Sequence, residues 1–437
     1  MSPDDSAFAV PGGRLARLAR LGGLASGVAG GMLAEGLRQM AQGRRPQLGD
    51  LLLTPANARR VAEQLAQLRG AAMKVGQLLS MDAGDLLPPE LTAILARLRA
   101  AARPMPMSQL VPVLEAAWGA GWEQRFARFS FTPLAAASIG QVHAASTHAG
   151  QRLAIKVQYP GVRRSIDADV DNVATLLRLS GLLPRGLNLA PLLAEAKAQL
   201  HAEADYRQES AHLERYRTLL GDSPAFRLPA PHPELCTENI LAMDFLDGVP
   251  LESLATAPPA ERDRVARLLF ELLFREIFSF RCVQTDPNFA NYLYDPAGRR
   301  LILLDFGATR EFSGDLVAAY RRLLVAGQRS DRAGLAEAAA AVGYFRNDLG
   351  SSQRQQLLEL FLTACSPLRH TGPYDFGSSQ LARQMRDAGL QMAGDRDFRH
   401  APPVDALFLH RKIGGLYLLA ARLRARVDIA ACFAPHA

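Results

Sequence analysis

The 437-residue chain has only four cysteines, Cys236, Cys282, Cys365 and Cys432, far apart and with no Cys-x-x-Cys pair. That spacing signals neither a zinc site nor a disulfide framework, and a reducing compartment is the default reading. None of the nine histidines stands in a His-Glu-x-x-His arrangement, which removes the usual helical zinc site. Zinc-finger, homeodomain and RNP-like strings are missing, and the basic residues are spread rather than gathered in one stripe, so nucleic acid is not an expected partner. No repeat with a period of about 20–50 residues is evident, which argues against a solenoid or propeller. A bilayer-spanning run is lacking near the amino terminus: the Gly/Ala/Leu stretch from Leu21 to Ala34 is shorter than the roughly 20 residues required.

What remains is ordinary globular composition. Apolar residues at 49% and charged residues at 21% are enough for a packed core and too balanced for a disordered chain. The length suits two or three domains, or one bilobal domain with an extension. A formal charge of +7, carried by arginine rather than lysine, favours anionic partners such as nucleotide phosphates or the acidic face of a bilayer.

Arg14, Arg17 and Arg20 lie three apart, near one helical face, and Gly23, Gly27 and Gly31 form two overlapping small-xxx-small steps. Residues 1–45 therefore read as a basic Gly/Ala-rich amphipathic segment. A plain packed helix, an interfacial helix on a membrane surface and a homodimer contact all suit it. A signal peptide would have the same basic start but a denser Leu/Val run. Residues 46–125 show helical periodicity broken at Pro88-Pro89, and the pattern turns to short strands between Phe129 and Val157. Long helical periodicity returns over 166–220, a strand-like NILAMDF follows, and from 258 onward the chain is mostly helical around two motif loops.

Those loops carry the chemistry. In Leu-Ile-Leu-Leu-Asp305-Phe306-Gly307 an apolar strand delivers an aspartate to a loop that a glycine frees, and such a carboxylate can hold Mg²⁺ against phosphates. Upstream, QTDPNFAN sets Asp286 five residues before Asn291, the catalytic-loop offset of protein kinases: the aspartate orients or deprotonates a nucleophile, and the asparagine holds a second metal ion. Taken alone, Asp-Pro-Asn is a turn. In Leu-Ala-Ile-Lys156 a strand lysine can offset phosphate charge, and Glu203, Asp205 and Glu209 downstream are its candidate partners. Glu203 and Glu209 are six apart, so one helix cannot aim both at the same lysine, and the choice among the three stays open. Before the strand, Ala135, Ala136, Ala137 and Ser138 occupy the place of a phosphate-covering glycine loop. Alanine keeps the close approach but loses easy access to positive φ. Met243, in NILAMDF at the expected connection between lobes, completes the candidate ATP-binding set.

The strings RGAAMKVGQLLSMD, AAASIGQVHAA, LAIKVQYPGV, EADYRQE, QTDPNFANYLYD and LLDFGATR together resemble the UbiB family of atypical protein-kinase-like proteins over about residues 45–312. The QTDPN form is similar to the branch serving coenzyme Q biosynthesis in mitochondria and some bacteria. The resemblance implies an α+β, bilobal kinase-like fold, with an N-lobe over 126–255, a C-lobe over 256–437 and a helical extension across the active-site cleft. It places Lys74, Gly76 and Gln77 in that extension; their spacing alone reads as surface. It further implies Mg²⁺-dependent binding of ATP or ADP, slow ATPase activity, and lipid or quinone precursors and other ubiquinone-biosynthesis enzymes as partners. A phosphotransferase acting on a protein or small molecule, and a non-catalytic nucleotide-sensing scaffold, are the rival readings. The expected location is bacterial-type cytoplasmic, peripheral to the inner membrane.

Overall fold

A computed structural model of the chain describes residues 71–72, 74–75, 104–137, 139–179, 190–345, 350–394 and 403–437. The basic amino-terminal segment, most of the helical extension, Gly76, Gln77 and Ser138 lie outside the described residues. Helices and strands are both well represented, in an α+β fold divided between two compact units that interleave in sequence. The first comprises the chain up to Ser210 together with Ala230–Phe245; the second comprises Ala211–Pro229 and Leu246–Ala437.

In the first unit, β1 (Arg128–Ala136), β2 (Gly140–Ser146), β3 (Arg152–Gln158) and β5 (Ile240–Asp244) form an antiparallel sheet in the order β1-β2-β3-β5. Strand β3 is central and buried from Leu153 onward, which is why its sequence is nearly continuous apolar residues. Its alternation sorts the two faces. Leu153, Ile155 and Val157 pack with Leu110, Leu114 and Trp118 of α1 (Met107–Trp118), while Lys156 stands on the opposite face. Helices α2 (Val162–Leu179), α3 (Ala190–Glu203) and α4 (Tyr206–Leu220) follow β3.

The second unit holds a four-stranded sheet ordered β4-β9-β8-β6, from β4 (Phe226–Arg227), β6 (Val249–Pro250), β8 (Tyr292–Asp295) and β9 (Arg300–Leu303). A separate ribbon pairs β7 (Cys282–Gln284) with β10 (Thr309–Glu311). The buried helix α5 (Pro259–Arg275) runs into a π-helical turn, Glu276–Phe280, which feeds β7. Helices α6 (Gly314–Arg329), α7 (Arg332–Val342), α8 (Ser351–Ala364), α9 (Ser366–Arg369), α10 (Leu381–Gly394) and α11 (Val404–Arg422) follow.

The alanine segment is part of a hairpin rather than an open loop. Ala135 and Ala136 end β1, opposite Val142 and Gln141, and the Ala137 N–H donates to the Gly140 carbonyl at 2.9 Å. None of these three alanines has positive φ, so the hairpin asks of them nothing that alanine lacks. Gly140 is the residue that geometry requires: a Cβ there would lie 2.3 Å from the Val157 carbonyl oxygen and 3.0 Å from the Tyr206 hydroxyl. Because the nearest obstacle is backbone, Gly140→Ala must part β2 from β3, and we expect a loss of about 1–3 kcal/mol. Chemical denaturation that finds the variant as stable as the parent would refute this account of the hairpin.

Candidate functional site

The first unit carries a buried ion pair on the open face of β3. Lys156 Nζ donates to both carboxylate oxygens of Glu209 at 2.9 Å, and both side chains are almost fully buried. The Tyr206 ring adds a cation–π contact, its centroid 5.0 Å from Nζ. A break between α3 and α4 makes the pairing possible. Asp205 Oδ1 accepts from the Arg207 and Gln208 N–H groups, both at 3.2 Å, as a helix N-cap does. Gln158 ties the Ala204 carbonyl to the end of β3 at 2.9 Å. With the helical phase reset there, Glu203 ends α3 and Glu209 begins α4, and the two serve different lysines: Glu203 pairs with Lys74. Of the three carboxylates, then, Glu209 meets Lys156, Glu203 meets Lys74, and Asp205 caps a helix. Lys74 is 2% exposed, so its spacing misreads as surface a residue that is buried. Met243 is also buried, on β5 opposite Ala154.

In the second unit, main-chain hydrogen bonds stitch the two motif loops together. Thr285 N and Oγ both donate to the Ala308 carbonyl, at 3.0 and 2.7 Å, and the Leu304 N–H donates to the Asn291 carbonyl at 3.1 Å. Since Tyr292 pairs with Leu303, Asn291 and Asp305 stand at neighbouring ends of β8 and β9. Asn288 caps the turn Phe289–Asn291 by accepting from Ala290 N at 3.2 Å. The Asn291 amide then donates to the Asp286 carbonyl at 3.2 Å and approaches its carboxylate at 3.4 Å. Asp305 Oδ1 accepts from Gly307 N at 3.0 Å, while Phe306 packs into the core 4.7 Å from the Tyr216 ring. A small pocket is lined by Asn291, Asp305, Glu276, Gln284, Tyr292 and Lys412. One carboxylate and one amide oxygen at adjacent strand ends suit a hard divalent cation that takes its other ligands from phosphates and water.

Glu276 and Lys412 in this pocket, and Tyr216 and Arg411 beside it, escape the sequence reading. Lys412 Nζ lies 3.3 Å from the Glu276 carboxylate and donates to Gln284 Oε1 at 3.2 Å and to the Tyr292 hydroxyl at 3.1 Å. Burial opposes its charge, but Glu276 and Tyr292 hold it above the ordinary lysine value, so it stays protonated. The Tyr216 hydroxyl, 2.9 Å away, supports the other side of Glu276. Arg411, the neighbour of Lys412 on α11, donates from Nη2 to Asp286 Oδ1 at 2.8 Å. One signal was present in the sequence: only Lys74, Lys156, Lys197 and Lys412 among the 50 basic Lys and Arg residues are lysines. A lysine in so arginine-rich a chain marks a place where a compact cation is wanted.

A strand lysine clasped by a helical glutamate in one unit, and an Asp–Asn loop hydrogen-bonded beside an Asp-Phe-Gly strand in the other, define a protein of the kinase-like class. Residues 97–339 match the ABC1 atypical kinase-like domain, and the chain belongs to that family. It is 38% identical over 426 residues to the atypical kinase COQ8, mitochondrial, of Saccharomyces cerevisiae, covering 97% of this chain and 85% of that protein. To the atypical kinase COQ8B, mitochondrial, of Rattus norvegicus it is 37% identical, covering 96% of this chain and 79% of the relative. In fold it is similar to Rv3197 of Mycobacterium tuberculosis, solved in complex with erythromycin, with a TM-score of 0.61 at 24% identity over 85% of this chain and 93% of that one.

These relatives correct the expected location. Their names place them in mitochondria, and a bacterial-type cytoplasmic assignment has no support. That expectation comes with the family resemblance, which does not fix a compartment. Among the described residues no helix is long and apolar enough to cross a membrane.

The Lys412–Glu276 pair makes a prediction about stability. Lys412→Met leaves Glu276, 1% exposed, without its cation, and we expect a cost of about 3–5 kcal/mol. Adding Glu276→Leu removes the stranded charge and should restore at least half of that loss. Urea unfolding of the two variants checks the pair, and a double variant no more stable than the single one would contradict it.

Proposed function

We propose that the chain binds Mg-ATP and hydrolyses it slowly, in support of ubiquinone biosynthesis. The observation that carries this reading is the placing of Asn291 and Asp305 at adjacent strand ends with Asp286 hydrogen-bonded to Asn291. Asp305 and Asn291 would hold Mg²⁺, which when bound offsets the charge of the phosphates. In the first unit, Lys156, oriented by Glu209, is a fixed cation of the kind that suits phosphate. The Ala135–Ala137 hairpin and Met243 are that unit's further candidates for nucleotide contact. Asp286 orients a water or an acceptor hydroxyl, a role that begins only after nucleotide is bound. The link to ubiquinone rests on the QTDPN form of the loop and on the COQ8 relatives, and it makes a lipid or quinone precursor the partner to test first.

Two substitutions separate the roles. Asp305→Asn should abolish the Mg²⁺-dependent thermal shift produced by ATP as well as phosphate release, because a neutral amide cannot balance a divalent ion. Asp286→Asn should keep the thermal shift and lower turnover by about 100-fold or more. An Asp305→Asn protein that binds Mg-ATP as well as the parent would end the metal assignment. Loss of the shift in Asp286→Asn would make that residue structural. Phosphate release measured with and without phenolic quinone precursors addresses the lipid partner.

A further inference from the structure

Helix α11 turns one face to the loop that holds Asp286, from more than a hundred residues away in sequence. Arg411 reaches the Asp286 carboxylate and Lys412 reaches Gln284 and Tyr292 on either side of the loop. One turn further on, a Cβ on Gly415 would come within 2.2 Å of Pro287 Cγ, so the helix backbone lies directly on the loop. A turn before, Phe408 packs beneath Arg310, 3.8 Å from its guanidinium carbon, and two turns after Gly415, Arg422 covers the Phe289 ring at 5.2 Å. Residues 408, 411, 412, 415 and 422 share a helical face, so this is one surface made for one loop.

We propose that Arg411 is a positioning residue that fixes the rotamer of Asp286 from outside the loop. The inference rests on the reading in which Asp286 orients the acceptor. Asp-Pro-Asn is a turn-forming sequence, and from within the loop the Asn291 amide approaches the carboxylate at 3.4 Å. The guanidinium contact at 2.8 Å is shorter and charge-assisted, and Arg411 is 5% exposed, so the side chain delivering it is itself held by packing. With Oδ1 engaged by Arg411, the second oxygen has a defined direction. Orientation of this kind acts on turnover and leaves nucleotide affinity alone.

The test compares Mg-dependent phosphate release and ATP-induced thermal shift in Arg411→Met, Arg411→Lys, Asp286→Asn and the Arg411→Met/Asp286→Asn double variant. Arg411→Met should lower kcat by about 10- to 100-fold with KM for ATP and the thermal shift near the parent values. Arg411→Lys should recover part of the loss, since lysine restores a cation without the planar fork. The double variant should be no slower than Asp286→Asn alone, because a residue acting through Asp286 has nothing to act on once that carboxylate is gone. A parental kcat in Arg411→Met, or losses that multiply in the double variant, would overturn the inference while leaving the role of Asp286 intact. Full turnover in Asp286→Asn would instead remove the underlying reading and this inference with it. If the methionine variant does not fold, Arg411→Gln, which keeps a donor without the charge, takes its place under the same criteria.

Discussion

A charge taken out of water must be answered within a few ångströms, and this fold answers three of its four lysines with glutamates. Lys74 pairs with Glu203, Lys156 with Glu209 and Lys412 with Glu276. Each pair joins elements far apart in sequence, so each works as a constraint on the fold as well as a local contact. Pairs of this kind contribute little net stability over well-packed apolar residues, but losing one partner is costly, and that asymmetry gives them their specificity here. The Ala204–Asp205 break shows the consequence. On one regular helix two acidic residues six apart would diverge by about 120°, and the N-cap at Asp205 resets that relation, so that Glu203 ends one helix and Glu209 begins the next.

In the second unit the governing constraint is the backbone ladder. The strands β7 and β10, and β8 and β9, carry the two motif loops at their ends, and a residue's address in the ladder decides what it can touch. Asn291 and Asp305 are neighbours because Tyr292 and Leu303 are paired. Thr285 closes the arrangement by placing two donors on one carbonyl, that of Ala308, just past the Asp-Phe-Gly turn. The motif residues thus owe their proximity to main-chain hydrogen bonds, with one more from the Thr285 hydroxyl. Their side chains remain free to be chosen for chemistry.

This division explains what the sequence disclosed. Lys156, Asp286, Asn291 and Asp305 sit in short strings whose order and spacing are themselves the signal, and the α+β kinase-like class follows from those strings. The partner of Lys156 was not legible, because it depends on a helix break that no periodicity marks. Lys74 reads as surface for the same reason: its carboxylate lies 129 residues away, and burial is a property of packing rather than of spacing. Arg411, Lys412 and Glu276 belong to helices whose sequences look like ordinary amphipathic segments. Only the scarcity of lysine singled out Lys412, and nothing in the sequence singled out Arg411.

The same electrostatics bear on why a divalent ion would matter to this chain. Glu209 balances Lys156 within the chain, so in the proposed reading that lysine would bring orientation to a phosphate more than net attraction. Among the groups gathered around the motif loops, Arg411 offsets Asp286 and Lys412 offsets Glu276, so these carboxylates too are balanced from within the chain. A polyanion meeting that balance alone would gain little and would face a carboxylate. In the proposed reading, a polyanion that carries a divalent cation brings its own positive charge to lysines and carboxylates already paired within the chain.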